Sequence, residues 1–173
     1  AMMINGDIGL ACQKLVRDYK TGGHFVIEPL PIFEVVKDLV VDLEPFFEKY
    51  RAVKPYLVSS GEAPETERLQ DPSDQATIEP ALRCILCACC TASCPINRAD
   101  ADYLGPSALL RAFRYLYDSR DDAKESRLEG LNSEQGAWGC KTMRWCTDVC
   151  PKGIPITQCL TRIKSAIKKA GLT

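Results

Sequence analysis

Neither sign of charge dominates this chain. Its 173 residues carry 22 Lys and Arg against 23 Asp and Glu, a formal net charge of −1. Nucleic-acid binding calls for a basic excess to neutralise phosphates, so no nucleic-acid partner is expected. No stretch approaches the roughly 18 consecutive apolar residues that span a bilayer. Ala1 to Leu10 also lack the basic stretch and apolar core of a signal peptide. Any membrane attachment is therefore expected through partners. Histidine occurs once, at His24, and reads as an ordinary surface or core residue. There is no G-x-G-x-x-G, no phosphate loop and no nucleophile–base pair, so the chain offers no substrate site and no catalytic residue of its own.

Hydrophobic residues at 46% and charged residues at 26% give the balance of a globular protein rather than a disordered one. The length suits one domain, or one domain and part of another. Cysteine is the abundant residue that sets the class. Ten occur, and eight of them fall within 84–94 and 140–150. A disulfide framework would scatter its cysteines to staple distant loops. Bunched thiols instead suit a small inorganic centre in a reducing compartment.

The first window is Cys84-x2-Cys87-x2-Cys90-x3-Cys94-Pro95, the run of bacterial-type ferredoxins. In that run three thiolates wrap one cluster and the fourth ligates the other cluster of the pair. The second window repeats the frame through Cys140, Cys146, Cys150 and Pro151, with Met143 at the second ligand position. A thioether does not replace a thiolate on cluster iron. Crossing the last cysteines gives Cys84, Cys87, Cys90 and Cys150 to a [4Fe–4S] cluster. Cys94, Cys140 and Cys146 are left for a [3Fe–4S] cluster, iron being the metal at both. The alternative is zinc in a stabilised interaction module, since paired C-x2-C elements also build four-thiolate sites. Zinc gives no reason for two copies of the longer run in frame. Cys89 and Cys159 read as small apolar fillers, and Cys12 alone reads as structural.

Along the chain, the first forty residues read as short extended segments, with Phe25-Val26-Ile27 closed by Pro29 and Pro31. From Val35 to Tyr50 the apolar spacing predicts a helix, through Val36, Leu39, Val40, Leu43, Phe46 and Phe47. Residues 59–74 read as a polar surface linker. Gly105-Pro106 opens a helix running to about Asp118. A polar, mostly solvated helix is expected over 121–131. Pro155 begins the last helix, striped by Leu160, Ile163 and Ile167 and ended by Gly171. Lys164, Lys168 and Lys169 read as its solvated end. Ile85, Leu86, Leu109 and Trp145 are expected to keep water from the clusters.

The runs CILCACCTASCP, LGPSALLRAFRYLYDSRD and WGCKTMRWCTDVCPKG resemble the C-terminal domain of the succinate dehydrogenase/fumarate reductase iron–sulfur subunit family. DLVVDLEPFFEKYRAVKPYL is similar to that family's connecting segment, and INGDIGLACQKLV to the end of its plant-type ferredoxin domain. The resemblance implies a mainly α chain. An α-helical ferredoxin domain (76–173) follows a helical connector and linker (42–75) and the remnant of a β-grasp ferredoxin domain (1–41). It implies electron transfer from a FAD-bearing flavoprotein subunit through [2Fe–2S], [4Fe–4S] and [3Fe–4S] centres to a quinone at membrane-anchor subunits. The subunit would be peripheral, held on the cytoplasmic or mitochondrial-matrix face through those anchors.

On the same resemblance Cys12 is the last ligand of the [2Fe–2S] cluster. The family's other ligands would already have appeared before Ala1, so they are expected from an upstream segment or another chain. Pro95, Lys141 and Met143 would line the quinone pocket, with Trp145 a further candidate. Quinone-reducing members often carry tryptophans after the cysteine–proline and a histidine after the first cysteine of the second motif. Here Ile96-Asn97-Arg98 and Lys141 stand in those places. Heterodisulfide-reductase-like and glycerol-3-phosphate-dehydrogenase-like subunits are the runner-up, but they usually keep two full four-cysteine motifs.

Overall fold

A computed structural model describes residues 1–19 and 24–172. The N-terminal part is built from short strands. Strands β1 (Met2–Ile4), β2 (Asp7–Gly9) and β3 (Ile27–Glu28) form an antiparallel sheet in the order β2-β1-β3. β4 (Val35–Lys37) and β5 (Val40–Val41) form a separate antiparallel hairpin. Helix α1 (Glu44–Ala52) begins only after it.

The hairpin corrects the helix expected over 35–50. Val36, Leu39 and Val40 satisfy a helical spacing, but the β-branched valines prefer a pleated surface. Asp38 turns the chain back in the left-handed conformation at φ 53°, which aspartate tolerates better than most residues. Only the second half of the segment, with Pro45 in its first turn and Phe46 buried, is helical.

The rest is helical. After a largely exposed loop come α2 (Pro72–Leu82), α3 (Cys89–Ser93), α4 (Pro95–Ala99), α5 (Gly105–Leu116), α6 (Lys124–Leu131), α7 (Trp145–Asp148) and α8 (Ile156–Lys169). Asp71 caps α2, its carboxylate accepting from the Ser73 N–H at 3.2 Å. α5 is the central element, with Leu109, Leu110 and Phe113 at most 1% exposed. It packs against α8, whose Leu160, Ile163 and Ile167 form the expected stripe. Burying each such side chain contributes about 1.5–3 kcal/mol. A smaller core of Leu30, Phe46, Ala88 and Ala92 ties the N-terminal part to the first cysteine loop.

The helix at 124–131 is less solvated than its composition predicts, because Arg127, Leu128 and Leu131 are buried. All five N–H donors of Arg127 are used. They bind both oxygens of Asp121 at 3.0 and 2.7 Å and the carbonyls of Val53, Lys54 and Tyr56 at 3.2, 2.8 and 2.8 Å. Tyr115 adds a hydrogen bond from its hydroxyl to the Pro55 carbonyl at 2.7 Å. This clasp fastens residues 53–56 to the helical part.

Candidate functional site

Two cavities take up the motif cysteines, and each draws on both copies. Cys84, Cys87 and Cys90 share one with Cys150, against Leu110, Ile154 and Ile156. Cys140 and Cys146 share the other with Cys94, against Tyr103 and Leu160. The two spaces are of similar size.

The backbone enters both cavities in the same way. Leu86 and Ala88 have φ of 55° and 63°, and Thr142 and Arg144, in the same places of the second copy, have 60° and 68°. A left-handed residue other than glycine costs about 1–2 kcal/mol. Four of them in two short loops are strain held where sulfur atoms must turn inward. Each loop then runs into a short helix, α3 or α7, with Cys90 or Cys146 in its first turn. These helices pack against each other, which lets Cys94 and Cys150 reach across.

Both cavities are lined by thiols, soft donors of the kind that hold iron–sulfur clusters.

Burial pushes the thiols of Cys84, Cys90, Cys94 and Cys146 up from the ordinary range. Neighbouring cysteines add to the rise for Cys90. Cys87 is pulled down instead, by a hydrogen bond from the Cys89 thiol. Cys89 is fully buried and keeps its proton. Iron must displace protons from these thiols, so loading is linked to pH.

Pro95, Lys141 and Met143 all line the three-cysteine cavity, as does Trp145. Met143 is 53% exposed and Trp145 55%. Ile85 is also 53% exposed. The expectation that Ile85 and Trp145 shield the clusters within the chain is therefore corrected: apolar character was taken for burial. Leu109 is buried and Leu86 packs into the smaller core. Cys12 sits exposed on a 3-10 turn (Ala11–Gln13) and lines neither cysteine cavity. Cys159 is buried on α8, and His24 is exposed.

Four residues at the three-cysteine cavity carry no signal in the sequence. Tyr103 is 1% exposed; burial and then the nearby cysteines hold its phenol protonated. Thr157 Oγ1 lies 3.6 Å from Cys146 Sγ and 2.9 Å from Thr147 Oγ1. Lys164, expected in the solvated helix end, donates to the Cys140 carbonyl at 2.5 Å and lies over the Trp138 ring. A tyrosine between two motifs, two threonines and one lysine of several have no spacing that marks them.

Known proteins resemble the chain over most of its length. Residues 80–154 match a 4Fe-4S dicluster domain family, and residues 1–48 a 2Fe-2S iron-sulfur cluster binding domain family. The chain is 39% identical over 165 residues to the succinate dehydrogenase iron-sulfur subunit of Coxiella burnetii, covering 95% of this chain and 69% of that protein. It is 41% identical over 167 residues to the mitochondrial succinate dehydrogenase [ubiquinone] iron-sulfur subunit 1 of Oryza sativa subsp. japonica, covering 95% and 59% respectively. A chain of the Mycobacterium smegmatis Sdh1 complex in the apo form superposes with a TM-score of 0.89 at 25% identity, over 99% of this chain and 73% of that one.

Proposed function

The chain belongs to the succinate dehydrogenase iron–sulfur subunit family, and from that premise we propose that it relays electrons between a FAD-bearing flavoprotein subunit and a membrane quinone. It is an electron-transfer subunit of an oxidoreductase complex and carries iron–sulfur clusters. When bound, such clusters supply one-electron transfer at potentials set by ligands, burial and hydrogen bonds.

In this proposal Cys84, Cys87, Cys90 and Cys150 hold a [4Fe–4S] cluster, and Cys94, Cys140 and Cys146 hold a [3Fe–4S] cluster. The carrying observation is the exchange of Cys94 and Cys150 between the two cavities. Met143 stands at the rim of the second cavity without a thiolate to offer, which supports the three-iron reading. The Thr142 N–H donates to the Cys140 sulfur, and Thr157 Oγ1 lies within hydrogen-bond reach of the Cys146 sulfur. Leu110, Ile154 and Ile156 exclude water from the first.

Residues 1–41 belong to a plant-type ferredoxin domain, 42–75 connect, and 76–173 form the α-helical ferredoxin domain. Cys12 is one ligand of a [2Fe–2S] cluster. One thiolate cannot hold it, so this assignment includes ligands from outside these 173 residues. No helix among the described residues is long and apolar enough to cross a membrane. The chain sits at the cytoplasmic or matrix face through anchor subunits that bind the quinone. Exposed Met143, Trp145 and Lys141, with Pro95, form the face turned toward it.

Low-temperature electron paramagnetic resonance tests the ligand sets. The oxidised complex should give a three-iron signal, and dithionite should replace it with a reduced four-iron signal. Cys150→Ser should abolish the four-iron signal and spare the three-iron one, and Cys94→Ser should do the reverse. The opposite pairing of losses would refute the exchange, and bound zinc without either signal would refute iron altogether.

A further inference from the structure

The central helix α5 begins between the two cysteine cavities, and its first turn gives each a different residue. Pro106 lines the three-cysteine cavity and Ser107 the four-cysteine one. Proline brings neither an N–H nor a polar side chain. Ser107 brings a hydroxyl that can donate one hydrogen bond. Gly105 fixes the start of the helix: its φ is 83°, and a Cβ there would collide with Asn97 Oδ1.

Ser107 is only 4% exposed, and buried hydroxyls are nearly always bonded. Those of Ser93 and Ser126 follow the rule, each donating to a carbonyl three residues back at 3.1 Å. Among the described residues the Ser107 hydroxyl has no partner, and it is not one of the oxygens sealed off from open space. Its Oγ therefore opens onto the cavity that it shares with Cys84, Cys87, Cys90 and Cys150. The hydroxyl that lines the other cavity is already committed, since Thr157 Oγ1 lies 2.9 Å from Thr147 Oγ1. Around Ser107 the wall is apolar, from Leu110, Ile154 and Ile156, and Lys152 at its edge is exposed to water. The acceptors left within this cavity are sulfur atoms. The first turn of a helix also favours negative charge in front of it.

Resting on the four-iron reading above, we propose that Ser107 donates its hydroxyl hydrogen to sulfur of the four-iron centre and raises the reduction potential of that centre. A donor stabilises the reduced, more negative centre more than the oxidised one. The three-iron centre meets Pro106 on the same turn and receives no such bond from α5.

The test is a potentiometric titration of the intact complex followed by electron paramagnetic resonance, comparing Ser107→Ala with the wild type. Alanine suits the helix, removes one oxygen and leaves every cysteine in place. The four-iron reduction equilibrium should shift about tenfold toward the oxidised form, a fall of about 59 mV for one electron. The three-iron midpoint should stay. Electron–nuclear double resonance of the reduced four-iron centre, before and after exchange into D2O, gives a second readout. The wild type should show one exchangeable proton coupling more than Ser107→Ala. An unmoved four-iron midpoint, equal movement of both centres, or the same exchangeable couplings in both proteins would overturn the proposal. A wild-type complex with no reduced four-iron signal would instead overturn the assignment beneath it.

Discussion

The two copies of the cysteine motif share a frame and a backbone, yet they face different surroundings. Ala88, Cys89, Cys90, Thr91 and Ala92 of the first copy are all buried, Cys89 and Ala92 completely. The matching stretch of the second begins with Arg144 and Trp145, both exposed, and α7 buries no residue at all. Both loops carry left-handed residues at the same two places, so the difference does not come from how the chain turns. It comes from what packs outside: the first loop is wrapped by α5 and the N-terminal core, while the second is left open at Met143 and Trp145. A repeat shared in backbone but not in burial leaves the helix after the first loop wrapped and the one after the second open.

The strongest way to break the contrast is to make the ligand sets equal. Met143→Cys gives the second copy the four-cysteine run of the first. We expect the three-iron signal to be replaced by a second reduced four-iron signal in electron paramagnetic resonance. Persistence of the three-iron signal would mean that the loop, not the missing thiolate, excludes the fourth iron.

Acid separates the copies from the scaffold they share. Asp118, just beyond α5, has a side chain with no exposed surface. Burial pushes its carboxyl up, but hydrogen bonds from Arg120 and Arg114 outweigh this and hold it at about 2. The folded value lies below the unfolded value near 3.9. Its stabilisation is therefore complete above pH 4 and lost as pH falls through 2. That difference amounts to about 2 kcal/mol. Asp118→Asn should lower stability by about that amount at pH 7, and the gap should close toward pH 2. Urea unfolding of the apo chain across that range measures it, and a pH-independent gap would count against the ion pair as its source.

The smallest effect sharpens the contrast in burial. Arg144→Gly relieves a left-handed residue on the open side and should stabilise the apo chain by about 1 kcal/mol. Ala88→Gly relieves the same strain but removes a buried methyl worth about 0.8 kcal/mol. Its net change should be near zero in the same unfolding assay. Equal gains at both positions would deny that the loops differ in packing.

Much of this arrangement is legible in the sequence because ligand chemistry is local. The spacing from Cys84 to Pro95 and its repeat pick out the seven cysteines that line the two cavities. Gly105-Pro106 and the stripe of Leu160, Ile163 and Ile167 give the two central helices, since capping and 3.6-residue periodicity need no distant information. What fails is whatever depends on residues far along the chain. Arg127 looks like a solvated charge until carbonyls more than seventy residues away are brought to it. The hairpin at Val35–Val41 fits a helical spacing as well as a strand, and only the turn at Asp38 decides. Exposure of Trp145 is set by what does not pack on it, which no local pattern records.

The Arg127 clasp also fixes where this protein can be divided. Composition suggests a seam in the polar stretch 59–74, and another wherever the strands give way to helices. Residues 53–56, however, belong by their carbonyls to Arg127, and Val58 and Ser60 hold Asp121 and Asp122 through their amides. A chimera or split gene that exchanges the N-terminal part must leave this strip with the helical part. Otherwise it strands a buried guanidinium with its three carbonyl acceptors gone. The interchangeable module therefore ends near Ala52, before the linker that looks like its natural border.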